Sequence, residues 1–236
     1  MRSRRSLFLW AGLCAGLLLA FCLDAPVLAL VEPLRESHLA DVVRDSIRRL
    51  GTGQVQVTLL VAMVLAGTFL SRRVRSAGAW ALAAFAVSGA TVSILKVGFH
   101  RPRPWVAASQ PHSLVSYLRM SSFQSFPSGE SATTFAVAAL LGYRFPRLRI
   151  PLLAAASLVA AARVFVGAHH PSDVWAAAML GLGVAQLVES YARKRAAQEP
   201  ARDGFGLLTG GVRIGYIQHG DGDRRGRECD LNSPQG

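Results

Sequence analysis

Six apolar stretches divide most of this chain, at about Leu7–Leu23, Val55–Leu70, Ala77–Val97, Ser131–Tyr143, Pro151–Val166 and Val174–Val188. They constrain the fold more than any other feature. In lipid every backbone polar group must find a partner inside its own element, so only helices and closed barrels span a bilayer. These runs are continuous rather than alternating, which selects helices. A span needs about 20 residues. The third stretch is long enough alone, and the fourth becomes so by starting its helix near Ser128. The expected fold is all-α, a six-transmembrane helical bundle.

Arginines and lysines set the expected orientation. Arg2, Arg4 and Arg5 precede the first stretch, Arg72, Arg73 and Arg75 follow the second, Arg144, Arg147 and Arg149 follow the fourth, and Arg193, Lys194 and Arg195 follow the sixth. Asp24 to Gln54 instead balances four arginines with Glu32, Glu36, Asp41 and Asp45. Both termini are therefore expected in the cytoplasm. The ends of stretches three and five and the starts of four and six face outward, to the periplasm or exterior, on an integral protein of the bacterial inner membrane. Met1–Arg5 with the following apolar run also fits a signal peptide, with Val27-Leu28-Ala29 as a weak cleavage site.

Between the first two stretches, Leu39, Val42, Val43, Ile47 and Leu50 recur at helical spacing. They predict an amphipathic helix lying in the interface. Trp105, Tyr117, Phe123 and Phe126 in the following outer loop read as interfacial anchors. Residues 1–192 are expected to form one membrane domain. Residues 193–236 read as a basic, Gly-rich, disordered cytoplasmic tail.

The formal charge of +12 follows from this topology, and no nucleic-acid motif accompanies it. Three cysteines give no disulfide framework, and no Cys/His cluster has metal-ligand spacing, so neither a metal nor another cofactor is expected.

Polar residues gather at the four outward ends. Lys96 closes the third stretch, and Arg103 follows between Pro102 and Pro104; Arg101-Pro102 competes for the same register. Alone, this pair reads as a snorkelling lysine and a basic loop. Pro127-Ser128-Gly129 precedes the fourth stretch, where Ser128 is a natural N-cap and the next amides are unused by the helix. Such an end holds anions, or is simply capped. Arg163, His169 and Asp173 bracket the junction of stretches five and six. One helical turn from His169 to Asp173 would let the carboxylate fix the imidazole tautomer, leaving the other nitrogen free to attack phosphorus. Arg163 is a fork donor suited to phosphate oxygens.

In that order, Lys96-x6-Arg103-Pro104, Pro127-Ser128-Gly129 and Arg163-x5-His169-x3-Asp173 resemble the three-part signature of the type-2 phosphatidic acid phosphatase superfamily, over roughly Leu7 to Ser190. The resemblance implies a six-helix membrane phosphatase that works without metal through a phosphohistidine. Lys96, Arg103, Ser128, Gly129 and Arg163 would hold phosphate oxygens, His169 would be the nucleophile, and Asp173 would orient it.

Two positions depart from the family pattern. Glu130 stands where the second motif carries the His that protonates the leaving group, and Ala162 stands where the third motif opens with Ser. Glu130 is a catalytic acid if it holds a proton, and His100 and His170 are alternative donors. The implied substrate is a lipid phosphate or diphosphate, with undecaprenyl diphosphate first. Lipid A 1-phosphate, phosphatidylglycerol phosphate and phosphatidate stay open. Two alternatives accompany it: transfer of phosphate to a lipid hydroxyl, and a catalytically weakened protein that binds phospholipid phosphates.

Overall fold

The computed structural model describes residues 2–42, 51–106 and 121–198, and every regular element among them is helical. Six long helices follow one another: α1 (Arg2–Val31), α2 (Gly53–Leu70), α3 (Arg72–Phe99), α4 (Gly129–Arg144), α5 (Arg149–Phe165) and α6 (Pro171–Gln198). Five segments are long and apolar enough to cross a membrane: Gly12–Arg35, Gly53–Leu70, Arg72–Phe99, Pro146–Phe165 and Pro171–Gln198. The protein is an integral membrane protein with at least these five candidate spans.

The expected fourth span is the exception. α4 has 16 residues, about 24 Å at helical rise, against a hydrocarbon core near 30 Å. It need not match the lipid, because protein surrounds it. Ser131, Ala132, Ala136 and Leu140 are all fully buried along it.

Small residues make that enclosure possible. Ala177, Gly181 and Ala185 recur every fourth residue on α6, and Ala77, Ala81 and Ala84 line one side of α3; all five alanines are fully buried. Without a hydrophobic drive between helices in lipid, close backbone approach supplies the attraction. A β-carbon at residue 181 would collide with the Ala132 carbonyl oxygen, so α6 can lie against α4 only with glycine there.

Helix ends are set locally. Ser71 breaks α2 from α3, and its hydroxyl accepts from the Val74 N–H at 3.3 Å. His100 ends α3 in the left-handed region at φ 40°, its N–H donating to the Lys96 carbonyl. Gly167, at φ +70°, turns the chain after α5. At the basic end of the bundle, Glu189 holds Arg144 at 2.7 Å and Arg193 at 2.8 Å. The opposite end receives the C-termini of α3 and α5 and the N-termini of α2, α4 and α6.

A short helix, His38–Val42, follows a 3-10 turn at Glu32–Glu36. The rest of the expected amphipathic helix, including Val43, Ile47 and Leu50, lies outside the described residues, as do Tyr117 and residues 199–236 of the expected tail, whose first residues, 193–198, instead continue α6. Among the expected interfacial aromatics, Trp105 is exposed. Phe123 is instead buried, and Phe126 lies between Phe21 and Phe99 at ring distances of 6.1 and 4.8 Å.

Candidate active site

Six of the eight residues expected at the site line one cavity of about 290 Å³ at the polar end of the bundle: Lys96, Arg103, Gly129, Glu130, Arg163 and His169. Each comes from an element end. Lys96 is in the last turn of α3 and Gly129 and Glu130 in the first turn of α4; Arg163 is in the last turn of α5, and His169 lies in the turn before α6. Lys96 Nζ is 3.8 Å from where a β-carbon on residue 129 would stand. Glycine therefore keeps the α4 N-terminus open to the cavity.

The register of the two Arg-Pro pairs is resolved. Arg103 faces the cavity, anchored by its N–H to the Ser122 carbonyl at 2.8 Å and by Nε to the Ser121 carbonyl at 3.0 Å. Burial lowers the pKa of its guanidinium from the usual value, with Glu130 and Asp173 opposing. Arg101 points the other way, into the protein. The lining therefore sets three cations against one carboxylate, an excess suited to an anion.

His169 is 2 % exposed. Its Nδ1 lies 2.9 Å from the Ser125 carbonyl oxygen, and a carbonyl can only accept, so Nδ1 carries the proton. Nε2 is left with its lone pair. Burial pushes the ring down to about 4; the nearby Asp173 carboxylate opposes this and the Arg103 charge adds to it. The ring is thus neutral at physiological pH.

Asp173 is fully buried behind the histidine. The expected direct contact is long: Oδ2 is 3.7 Å from His169 Nδ1. Oδ2 instead accepts from Ser125 Oγ, from the His170 N–H at 2.9 Å and from His170 Nδ1 at 3.1 Å. Ser125 therefore links the two residues, its hydroxyl on the carboxylate and its carbonyl on the imidazole. His170 is turned to Asp173, and it is not among the cavity lining.

Ser128 is also behind the wall. It precedes α4 as expected, but its hydroxyl pairs with Ser131 Oγ at 2.9 Å and makes no cap hydrogen bond. Its N–H donates to the Asp173 carbonyl at 3.1 Å. Ala162 is buried on α5. Glu130 meets Arg163: Oε2 is 2.9 Å from Nη1, close enough for an ion pair although the N–H does not point at the oxygen.

Sequence reasoning missed Asp24, Ser125 and Ser172. Asp24 is the one charged residue between Arg5 and Glu32, and an acid inside a span is costly, about 2.5–3.5 kcal/mol at a helix centre on insertion scales. The cost is offset by contacts. Oδ1 accepts from the Ser172 N–H at 2.8 Å, and Oδ2 accepts from Ser172 Oγ and Arg101 Nη2, both at 2.6 Å. That lone acid was the available signal.

The profile of the PAP2 superfamily matches residues 77–197 of the chain. A lipid A 1-phosphatase of Rhizobium johnstonii is 31 % identical over 188 residues, which is 73 % of this chain and 75 % of that protein. A lipid A 1-phosphatase of Rhizobium etli is 30 % identical over 198 residues, 77 % of this chain and 81 % of that one. Among solved structures, the transmembrane PAP2-type phosphatidylglycerolphosphate phosphatase of Bacillus subtilis superposes with a TM-score of 0.59 at 26 % identity, covering 78 % of this chain and 96 % of that one.

Proposed function

The chain belongs to the PAP2 superfamily, and on that premise we propose that this membrane lipid phosphatase works through a phosphohistidine on His169. The convergence of Lys96, Arg103, Arg163, the α4 N-terminus and His169 on one cavity carries the reading.

A phosphate in the cavity has its oxygens held by Lys96, Arg103, Arg163 and the open amides at Gly129. Ser128 shapes that helix start from behind. The Nε2 lone pair of His169 attacks phosphorus, and the bond to the lipid oxygen breaks. The ring gains positive charge, which Asp173 offsets from 3.7 Å and through Ser125. The cations stabilise charge on the phosphoryl oxygens in flight. Water then attacks phosphorus, the P–N bond breaks, and inorganic phosphate leaves. Every ligand in this scheme is a side chain or amide of the protein, and among the described residues no three His, Cys, Asp or Glu gather as a metal site.

The relatives favour lipid A phosphorylated at position 1 as substrate. Glu130 favours a diphosphate lipid such as undecaprenyl diphosphate, because its leaving phosphate needs little protonation. The distribution of basic residues supports a site facing the periplasm, with both termini in the cytoplasm of a bacterial cell and the residues beyond α6 forming a cytoplasmic tail.

The test is phosphate release by purified protein in detergent. The substrates are lipid A, undecaprenyl diphosphate, phosphatidylglycerol phosphate and phosphatidate, and the assay distinguishes water from a lipid alcohol as acceptor. Release from at least one substrate, lost in His169→Ala, is the expected result. Binding without release would leave a phospholipid-binding protein instead.

A further inference from the structure

Asp173 is held in place from a helix that carries none of the signature residues. Its Oδ1 takes Arg101 Nη1 at 2.7 Å, and the other arm of that guanidinium, Nη2, is bound by Asp24 of α1 at 2.6 Å. Asp24 also takes both donors of Ser172, the residue just before Asp173. Arg101 Nη1 closes the ring by donating to Ser172 Oγ at 2.6 Å. Asp24, Ser172 and Asp173 are 7 %, 0 % and 0 % exposed, so solvent does not compete for these bonds.

We propose that Asp24 is a positioning residue for phosphoryl transfer: through Arg101 and Ser172 it fixes the carboxylate of Asp173, and hence the Ser125–His169 pair. The geometry supports a chain of single consequences. Arg101 is one planar fork between two carboxylates, so its angle is set only while both are present. With Arg101 fixed, Asp173 Oδ1 is committed, and Oδ2 must face Ser125 and His170. Ser125 then presents its carbonyl to His169 Nδ1. Phe21, one helical turn before Asp24, lies under the same guanidinium at 5.0 Å and keeps it from swinging out. Asp24 does not line the cavity, so it acts on the nucleophile's alignment and not on phosphate binding. Cleavage after Ala29 would remove Asp24, so the role assigned to Asp24 requires α1 to be retained.

This inference rests on His169 as nucleophile, and the experiment separates the two. Wild type, His169→Ala, Asp24→Asn, Arg101→Gln and the Asp24→Asn/Arg101→Gln double variant are purified in detergent. They are assayed on whichever lipid phosphate the wild type turns over. Asp24→Asn keeps the size of the residue and one acceptor for the Ser172 N–H. The expected result is a fall in kcat of up to about 10²-fold, the order that a misplacement of about 1 Å at a reacting group costs, with KM unchanged and wild-type thermal unfolding. The double variant is expected to lose no more than Arg101→Gln alone, because both substitutions break one linkage. Full kcat in Asp24→Asn, a rise in KM without loss of kcat, or additive losses in the double variant would each overturn the proposal. Should Asp24→Asn prove unstable, Arg101→Gln with Asp24 intact supplies the same split of kcat from KM. An active His169→Ala would instead overturn the phosphohistidine reading.

Discussion

The imidazole of His169 is bonded to Ser125, not to its expected partner: Nδ1 lies 2.9 Å from the Ser125 carbonyl and 3.7 Å from Asp173. A backbone carbonyl fixes the tautomer without a charge in direct contact. The ring enters the reaction neutral, and Asp173 is near enough to stabilise it once it becomes cationic.

Burial, chiefly, pushes His169 down to about 4 from the usual 6.5. Its ring should therefore stay neutral, with the proton on Nδ1, from pH 8 down to about pH 5. Nitrogen NMR of labelled protein, with the His169 signal assigned by difference from His169→Ala, measures this directly. The sign for stability follows. Between about 6.5 and 4 the unfolded chain binds a proton that the folded protein refuses, so this residue's contribution to stability declines as pH falls through that window. A ring titrating near 6.5 would contradict the buried geometry.

His169→Ala should abolish phosphate release while the protein still folds. His170 cannot substitute, since it is turned to Asp173 and is not among the residues that line the cavity. Brief incubation of wild type with radioactive substrate should give an acid-labile label on the protein, and the variant should give none. Undiminished turnover in the variant would remove His169 from the mechanism.

Chelation should leave activity intact, because the cavity offers phosphate a lysine, two arginines and backbone amides. The measurement is the rate before and after extensive treatment with a chelator. Loss of rate with recovery on adding a divalent cation would show metal-assisted hydrolysis instead.

The sequence made the site's composition legible but not its layering. Lys96, Arg103, Gly129, Arg163 and His169 are readable because each ionisable or flexible residue lies near the end of an apolar run. Ser128 was placed at the right helix end, yet its hydroxyl turns to Ser131; a cap is a local inference, and the neighbour that competes for it is set by packing. Asp24 is far from the other site residues in sequence, and the lone acid in an apolar run does not say which partners it meets; the seating of α1 against the start of α6 brings it to Ser172 and Arg101. Five of the six expected spans are long and apolar enough to cross a membrane, and the fourth differs for a related reason. Apolar length reports what lipid demands, and α4 is enclosed by helices whose alanines and Gly181 let them close around it.

Glu130 yields the sharpest expectation. It occupies the family's position for the leaving-group acid, yet it is ion-paired with Arg163, Oε2 lying 2.9 Å from Nη1. A carboxylate there cannot donate a proton, and it competes with phosphate for Arg163. Proton donation matters most when the leaving group is a strong base, such as a simple alkoxide, and least when a diphosphate bond releases a phosphate. The wild type should therefore handle diphosphate lipids better than alkyl monophosphates such as phosphatidate. Glu130→His restores a donor and frees Arg163, so it should raise monophosphate hydrolysis more than diphosphate hydrolysis. Loss of a general acid typically costs about 10²–10⁴-fold, and part of that factor should return on the monophosphate alone. The comparison is kcat/KM for both substrate types in wild type and variant. A variant impaired on both would mean that Glu130 already works as an acid or that its pairing with Arg163 is required to shape the cavity.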